Sequence, residues 1–386
     1  MSILPNKKKN KNEEAYFDYS LLFIVLFLLG FGLVMIYSAS SYSALQEFGN
    51  ESHYLRKQLI SVILGLIAMF VVSCVPYDFW RKFYILGYIF SAVLIVLVLS
   101  PLGVESHKAR RWIKLPGVGF NLQPAEVSKL CMILFLAVLV CKLGRDIDGK
   151  KGFLWMLFSP LPIAVMIWQI TDNLSSAIIV YGISLVMYFV ANSHYKYFIL
   201  IGLIGVVAVA ILLFIIFKTD LITGFRAGRI LAWKDPEKYS QGTGFQTLQA
   251  LYAIGSGGAF GKGLGQSMQK LQFLPESQND MIFSVICEEL GLFGAFVVIF
   301  LFALLIWRMM VVANNAPDLF GGMLVVGVMA HIAIQAILNI AVVTATIPNT
   351  GISLPFISYG GSSVIFLLIE VGLVLNVAKS IRFKEG

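Results

Sequence analysis

Charge is what this chain has least of. Only 13% of its 386 residues are Asp, Glu, Lys or Arg, against about 25% in an ordinary soluble domain. That shortage excludes a solvated surface along most of the chain, and the 58% hydrophobic content excludes a disordered one. Acids are scarcer than bases, and the net charge of +8 suits anionic partners. Cysteine is sparse too. Cys74, Cys131, Cys141 and Cys287 all fall inside apolar segments, which excludes a disulfide framework and zinc-finger spacing and leaves them as small buried hydrophobes. Four scattered histidines, His53, His107, His194 and His331, form no Ser/His/Asp or Cys/His arrangement. There is no basic domain apart from the membrane loops, so nucleic acid is not an expected partner.

What is present is a series of long apolar runs. The first, Leu21–Ser38, has no small-residue cleavage site and is long enough to span, so no cleavable signal peptide is expected. Ten spans are predicted at 21–42, 58–75, 82–100, 124–142, 153–170, 174–191, 197–217, 281–306, 319–345 and 352–378. The fifth and sixth belong to one apolar run too long for a single crossing, split by Thr171-Asp172-Asn173, with Asp172 expected to cap the sixth span. The expected fold is therefore an all-α integral membrane protein, a polytopic bundle of about ten transmembrane helices. It divides into a Lys-rich, disordered tail 1–18, a single membrane domain 19–380 containing one large loop 218–280, and a short tail 381–386.

An even number of spans puts both tails on one side. Lys7, Lys8, Lys9, Lys11, Arg81, Lys82, Lys142, Arg145, Lys150, Lys151, Lys196, Arg308, Lys379, Arg382 and Lys384 share that side. The short loops opposite hold only Arg56, Lys57, Lys108, Arg110, Arg111 and Lys114. The bias predicts cytoplasmic tails and an extracytoplasmic 218–280 loop. Two outward segments are basic against this trend: Lys108-Ala109-Arg110-Arg111-Trp112, and the large loop with Arg226, Arg229, Lys234, Lys238, Lys262 and Lys270. Arginine forks suit phosphate oxygens, so these segments read either as a lipid pyrophosphate site or as general headgroup attraction.

Within the loop, Phe245, Leu248, Leu251, Tyr252 and Ile254 recur at helical spacing, which predicts an amphipathic helix on or in the interface. The glycine-rich stretch Gly255–Gly265 fails the P-loop pattern, because Gly263 stands where Ser or Thr is required and Ser256 where the first glycine belongs. It fails G-x-G-x-x-G at Phe260. A tight turn that lets another backbone or a lipid approach closely is the better reading.

The loop ends in Leu274-Pro275-Glu276-Ser277-Gln278-Asn279-Asp280, immediately before the eighth span. An ionisable group at such a boundary is costly unless it is used. Asp280 reads as a helix cap, since Ser277 and Asp280 fit a capping-box variant, or as a reactive carboxylate; Glu276 is its nearest acidic neighbour. Glu288 and Glu289 lie about 12 Å further along an ideal helix and read as members of a buried structural network. Glu126 and Lys129, three apart in the fourth span, pair across one turn in the same kind of network. Glu370 in the tenth span needs an internal partner that the sequence does not name.

Several of these segments together carry a resemblance. Ala109-Arg110-Arg111-Trp112, Gln123-Pro124-Ala125-Glu126, Ala253–Gly258, Leu274–Asp280 with Glu288-Glu289-Leu290-Gly291, and Pro348–Phe356 with Ser358–Ser363 resemble the SEDS family (shape, elongation, division and sporulation), the FtsW/RodA/SpoVE group. The similarity runs from about residue 20 to 380. Gly32–Ser40 and Gly263–Ser267 look nearer to the FtsW/SpoVE branch. The family's usual Pro-Asp-x-Gly-Thr turn is replaced here by Thr171-Asp172-Asn173-Leu174-Ser175-Ser176, which keeps only the aspartate.

The resemblance implies a multi-pass protein of the bacterial cytoplasmic membrane with an extracytoplasmic active site. It implies an inverting glycosyltransferase that polymerises lipid II into lipid-linked glycan, in septal wall synthesis during cell division, with a role in elongation or sporulation as the alternative. It implies as partners a class B penicillin-binding protein transpeptidase and other division-complex membrane proteins, and Asp280 as the essential acid. Arg110, Arg111, Arg226, Arg229, Lys262, Lys270, Glu276 and Ser358 are the expected substrate-binding residues. A divalent ion, magnesium or manganese, is an optional cofactor for which no ligand cluster is legible. A lipid II flippase, with Glu126, Lys129, Glu288 and Glu370 along a polar route, and a non-catalytic division scaffold are the rival readings.

Overall fold

A computed structural model describes residues 17–106, 109–114, 121–194, 198–199, 203, 225–242, 244–271 and 273–381. The predicted seventh span 197–217 and both extreme tails fall almost wholly outside these residues. Among the described residues eight helices are long and apolar enough to cross a membrane, and a shorter one, Tyr84–Leu97, joins them. This is the expected all-α polytopic bundle.

In chain order the helices are α1 (Tyr19–Phe48), α2 (His53–Cys74), the short α3 (Tyr77–Arg81), α4 (Tyr84–Leu97), α5 (Pro124–Leu143), α6 (Lys150–Phe158), α7 (Leu161–Ile170) and α8 (Leu174–Ala191). They continue as α9 (Phe225–Lys234), α10 (Phe245–Gly257), α11 (Ile282–Asn314), α12 (Leu319–Val343) and α13 (Gly361–Lys379). Strands β1 (Gly103–Ser106), β2 (Ala109–Lys114) and β3 (Asn121–Leu122) form a small antiparallel sheet in that order between α4 and α5.

Local chemistry sets the ends. Asp18 accepts a hydrogen bond from the Leu21 N–H at the start of α1, and Gly49 closes α1 in the left-handed conformation. Pro124 opens α5 in the first helical turn, where its missing N–H costs nothing. The predicted split of the fifth and sixth spans holds: α7 stops at Ile170 and α8 starts at Leu174. The cap is different from the one expected. Asn173 accepts from the Ser176 N–H, while Asp172 takes a left-handed turn at φ 50°.

One end of the bundle carries Asp18, Arg308, Tyr77 and Asp318. Arg308 pairs with Asp18 at 2.8 Å, and the Tyr77 hydroxyl donates to Asp318 at 2.8 Å. The other, the loop end, carries the sheet, α9, the start of α11 and the segment 344–360. That segment is irregular, so the tenth span begins at Gly361 and not at 352. Interhelical packing uses small residues in place of a hydrophobic driving force. A Cβ on Gly372 would lie 2.6 Å from the Met69 carbonyl oxygen, and one on Gly32 2.6 Å from that of Phe356.

The eighth span is interrupted. Gly291 sits at φ 69°, ψ −166°, and divides α11 into a short helix Ile282–Leu290 and a long one beyond it. Unsatisfied backbone groups inside a membrane cost several kcal/mol each (about that much). Here the glycine-rich stretch supplies the partners. The Lys262 and Gly263 N–H groups donate to the carbonyls of Glu288 and Glu289 at 3.0 and 2.9 Å. The Leu292 and Phe293 N–H groups donate to Gly258 and Ala259 at 3.0 and 3.1 Å. The approach demands glycine, because a Cβ on Gly257 would meet the Cys287 oxygen at 1.9 Å and one on Gly261 the Glu289 oxygen at 2.2 Å. So α10 does not lie flat on the surface. It runs from beside Asp280 down to the level of Gly291, and residues 258–280 return to the loop end.

Candidate functional site

Asp280 stands just outside the membrane helix that follows it. The capping reading fails: α11 begins at Ile282, its N-cap is Met281 without a side-chain cap, and Ser277 donates to the Ala39 carbonyl at 3.1 Å. The Asp280 backbone is held by Asn339, whose side-chain amide donates to the carbonyls of Asp280 at 2.8 Å and Ile352 at 2.6 Å. Its carboxylate has far less support. Gln246, in the first turn of α10, donates to Oδ1 at 3.3 Å, and no salt bridge reaches Asp280 among the described residues. Gly351 lies alongside, where a Cβ would be 3.8 Å from Oδ2.

This environment disfavours charge. Burial first, and then the neighbouring Glu276 carboxylate, push the Asp280 pKa up to about 7, against the milder pull of its own backbone, Arg229 and Gln246. Glu276 itself is held in the left-handed region at φ 55°, and its side chain contacts the Asn279 amide. A non-glycine residue in that region marks a backbone fixed by its surroundings.

Around Asp280 the other segments converge. Asn349 donates to the Gln246 side-chain oxygen at 2.7 Å, and Arg229 donates to the Asn349 carbonyl at 3.3 Å. Trp233 of α9 donates to the Ala345 carbonyl at 2.7 Å. Ser175 at the start of α8 donates to the Thr350 carbonyl at 2.6 Å. The turn before it receives Arg111, which donates to the carbonyls of Thr171 at 3.3 Å and Asp172 at 2.8 Å. A continuous chain of contacts thus leads from the Arg111 hairpin to the Asp280 pocket.

The expected substrate-binding residues separate into groups. Arg229 and Glu276 stand at Asp280. Arg110 is exposed on the hairpin, 3.8 Å from Glu105. The side chain of Arg226 lies outside the described residues. Three others are engaged within the protein. Lys262 pairs with Glu288 at 2.7 Å and Lys270 with Glu289 at 2.9 Å, at a level about 12 Å beyond Asp280 along the helix. Ser358 is buried and uses its hydroxyl on backbone, donating to the Asn279 carbonyl and accepting from the Leu354 N–H, both at 2.7 Å. It shapes the loop and presents nothing to a ligand.

The structural acids are placed as expected. Glu126 and Lys129 pair at 2.8 Å, and Ser363 donates to Glu126 at 3.2 Å. Lys129 also reaches Gln335 at 3.1 Å, and Gln335 bonds His331 at 2.9 Å and the Ser353 carbonyl at 3.1 Å. The partner missing for Glu370 is His331, at 2.7 Å. Of the polar residues that a transport route would use, Glu126, Lys129 and Glu370 thus belong to one bonded network, and Glu288 pairs separately with Lys262. Among the described residues no three His, Cys, Asp or Glu side chains gather for a metal. An ion brought in by phosphates needs fewer carboxylates.

Sequence reasoning missed Gln246, Asn339 and Asn349 as site residues. Asn339 carried a usable signal, since a lone amide deep in an apolar span needs an internal partner. Gln246 carried none, because only folding brings α10 against residue 280.

The family model described as "Cell cycle protein", for FtsW, RodA and SpoVE, matches residues 19–382. Stage V sporulation protein E of Bacillus subtilis is 41% identical over 372 residues, covering 95% of this chain and 98% of its own. The probable peptidoglycan glycosyltransferase FtsW of Trichlorobacter lovleyi is 37% identical over 95% of this chain and 94% of its own. Among solved structures, a chain of a peptidoglycan synthase complex described as coordinating polymerization and crosslinking aligns with a TM-score of 0.76 at 27% identity, over 94% of this chain and 98% of that one. The rod shape determining protein RodA of Thermus thermophilus aligns at 0.65 and 25% identity, over 96% and 98%. The match spans every segment that builds the Asp280 pocket, and the chain belongs to the FtsW/RodA/SpoVE family of cell cycle proteins.

Proposed function

We propose that this chain is a peptidoglycan glycosyltransferase that polymerises lipid II, with Asp280 as the general base. The observation that supports the reading is a buried carboxylate that no salt bridge reaches among the described residues, where α10, the 344–360 segment and the start of α11 meet. Its pKa of about 7 suits a base working near neutral pH.

Asp280 takes the proton of the acceptor sugar's 4-hydroxyl. The acceptor oxygen then forms a bond to C1 of the donor sugar as the C1–oxygen bond to diphosphate breaks. The electron pair leaves with the diphosphate, and C1 inverts. Because diphosphate is a good leaving group, no second carboxylate is required. Arg229 beside Asp280, and Arg110, Arg111 and Arg226 on the flanking segments, are the candidates for holding phosphate oxygens and stabilising the departing charge. Asp280 and Glu276 are two carboxylates, fewer than a metal site built from protein ligands alone requires.

The loop end is extracytoplasmic in this reading, from the excess of Lys and Arg on the tail side. The resemblance to FtsW and SpoVE favours septal synthesis, and the synthase-complex neighbour supports a crosslinking penicillin-binding protein as partner. The test is purified protein with labelled lipid II, with and without that transpeptidase. Glycan polymer from wild type and none from Asp280→Asn is expected. Equal polymer from both would remove Asp280 as the base. Headgroup translocation in liposomes without polymer would replace the enzyme with a transporter.

A further inference from the structure

Asp280 is held from two sides. Asn339 fixes its backbone carbonyl at 2.8 Å, and the short helix Ile282–Leu290 that follows helps to aim its carboxylate, which among the described residues takes one long side-chain hydrogen bond, from Gln246. That helix is not continuous with the rest of α11, because Gly291 breaks it. What holds it is the re-entrant stretch 256–270. The four backbone bonds across the break fix its lower end. Side chains then lock it on two flanks.

Glu288 receives Lys262 at 2.7 Å, Ser256 at 3.3 Å, the Ser267 hydroxyl, and the N–H groups of Met268 at 3.1 Å and Gln269 at 3.3 Å. Glu289 receives Lys270 at 2.9 Å and Ser38 of α1 at 2.7 Å, while Lys270 also donates to Ser38 at 3.0 Å. Both glutamates are fully buried. A buried carboxylate surrounded by donors has one low-energy placement, and adjacent glutamates facing two flanks fix both the rotation and the tilt of a helix.

We propose that Lys262 and Lys270 are positioning residues for Asp280: their ion pairs to Glu288 and Glu289 clamp the detached first segment of α11 to the re-entrant loop and to α1. Neither lysine touches the lipid diphosphate. The catalytic consequence rests on the glycosyltransferase reading above; the clamp itself does not.

Lys262 is the residue to test, because its side chain is 34% exposed and its loss disturbs the core less than loss of Lys270 at 6%. In the purified full-length chain, Lys262→Met is expected to lower kcat for lipid II polymerisation by about 10–100-fold with KM unchanged within about twofold. Lys262→Arg keeps the pair and is expected to hold kcat within about threefold of wild type. Lys262→Met combined with Glu288→Gln is expected to be no worse than the single change, because the two residues act as one unit.

A second measurement needs no catalysis. Amide hydrogen exchange across Ile282–Leu290 should quicken by about tenfold in Lys262→Met, with residues 295–314 unchanged. A raised KM with unchanged kcat would overturn the proposal and return Lys262 to the substrate. Unchanged exchange would also overturn it. If wild type makes no polymer while the exchange still quickens, the glycosyltransferase reading fails and the clamp stands.

Discussion

Three carboxylates within ten residues receive opposite treatment. Glu288 and Glu289 are buried, and each has a lysine and at least one hydroxyl at hydrogen-bond distance. Asp280 is buried too, yet it has one side-chain amide at 3.3 Å and a second acid for a neighbour. Burying a carboxylate without a counter-charge is expensive, and the cost shows as a raised pKa. The fold places lysines against two acids and, among the described residues, forms no ion pair to the third. The paired acids hold the helix; in the glycosyltransferase reading the third is the base.

That contrast can be broken at several points, and the largest effect is expected at Asp280. Asp280→Asn keeps the shape and removes the base, so kcat for polymerisation should fall by about 10³-fold or more, with the thermal midpoint in detergent unchanged or raised. Comparable activity in the variant would make Asp280 another structural acid.

The next effect tests the opposite side of the contrast. Lys270→Met leaves Glu289 buried and unpaired, which should destabilise the protein by about 3–5 kcal/mol, read as a lowered thermal midpoint. Adding Glu289→Gln should restore most of that loss. A Lys270→Met protein as stable as wild type would mean that the pair does not support the helix.

Gln246→Leu removes the one side-chain donor to Asp280 among the described residues. A fall in kcat of about tenfold is expected, with stability within about 1 kcal/mol. A larger loss of stability than of activity would place Gln246 among the supports.

The smallest effect concerns pH. A base must be ionised to work, so kcat should rise with pH through about 7. Glu276 raises that pKa, so Glu276→Gln should move the rising limb to lower pH, while kcat at pH about 8 stays within about threefold of wild type. A limb that stays in place would show that burial alone sets the Asp280 pKa.

Much of this architecture was legible in the chain. Apolar runs of membrane length require helices because no other open structure satisfies its backbone in lipid. The polar triplet Thr171-Asp172-Asn173 split one run correctly, although the cap proved to be Asn173. The pairing of Glu126 with Lys129 followed from helical spacing alone. The glycines of 255–265 announced a close approach without naming what approaches. The helix break at Gly291 was not legible, because Glu288–Phe293 reads as an ordinary helical run. The pairing of Lys262 and Lys270 with Glu288 and Glu289 was not legible either, because a lysine in a loop carries no sign of the acid it will meet.

By itself, the sequence determined the class of molecule, the order of the crossings among the described residues, and which acid stands at the end of the large loop. These depend on local hydropathy, on spacing and on a motif, all of which are written along the chain. Tertiary structure alone decided which acids would be neutralised. Charge compensation in a membrane depends on contacts between residues far apart in sequence, such as Ser38 with Glu289 and Gln246 with Asp280. It is also what makes Asp280 chemically different from the two glutamates that follow it.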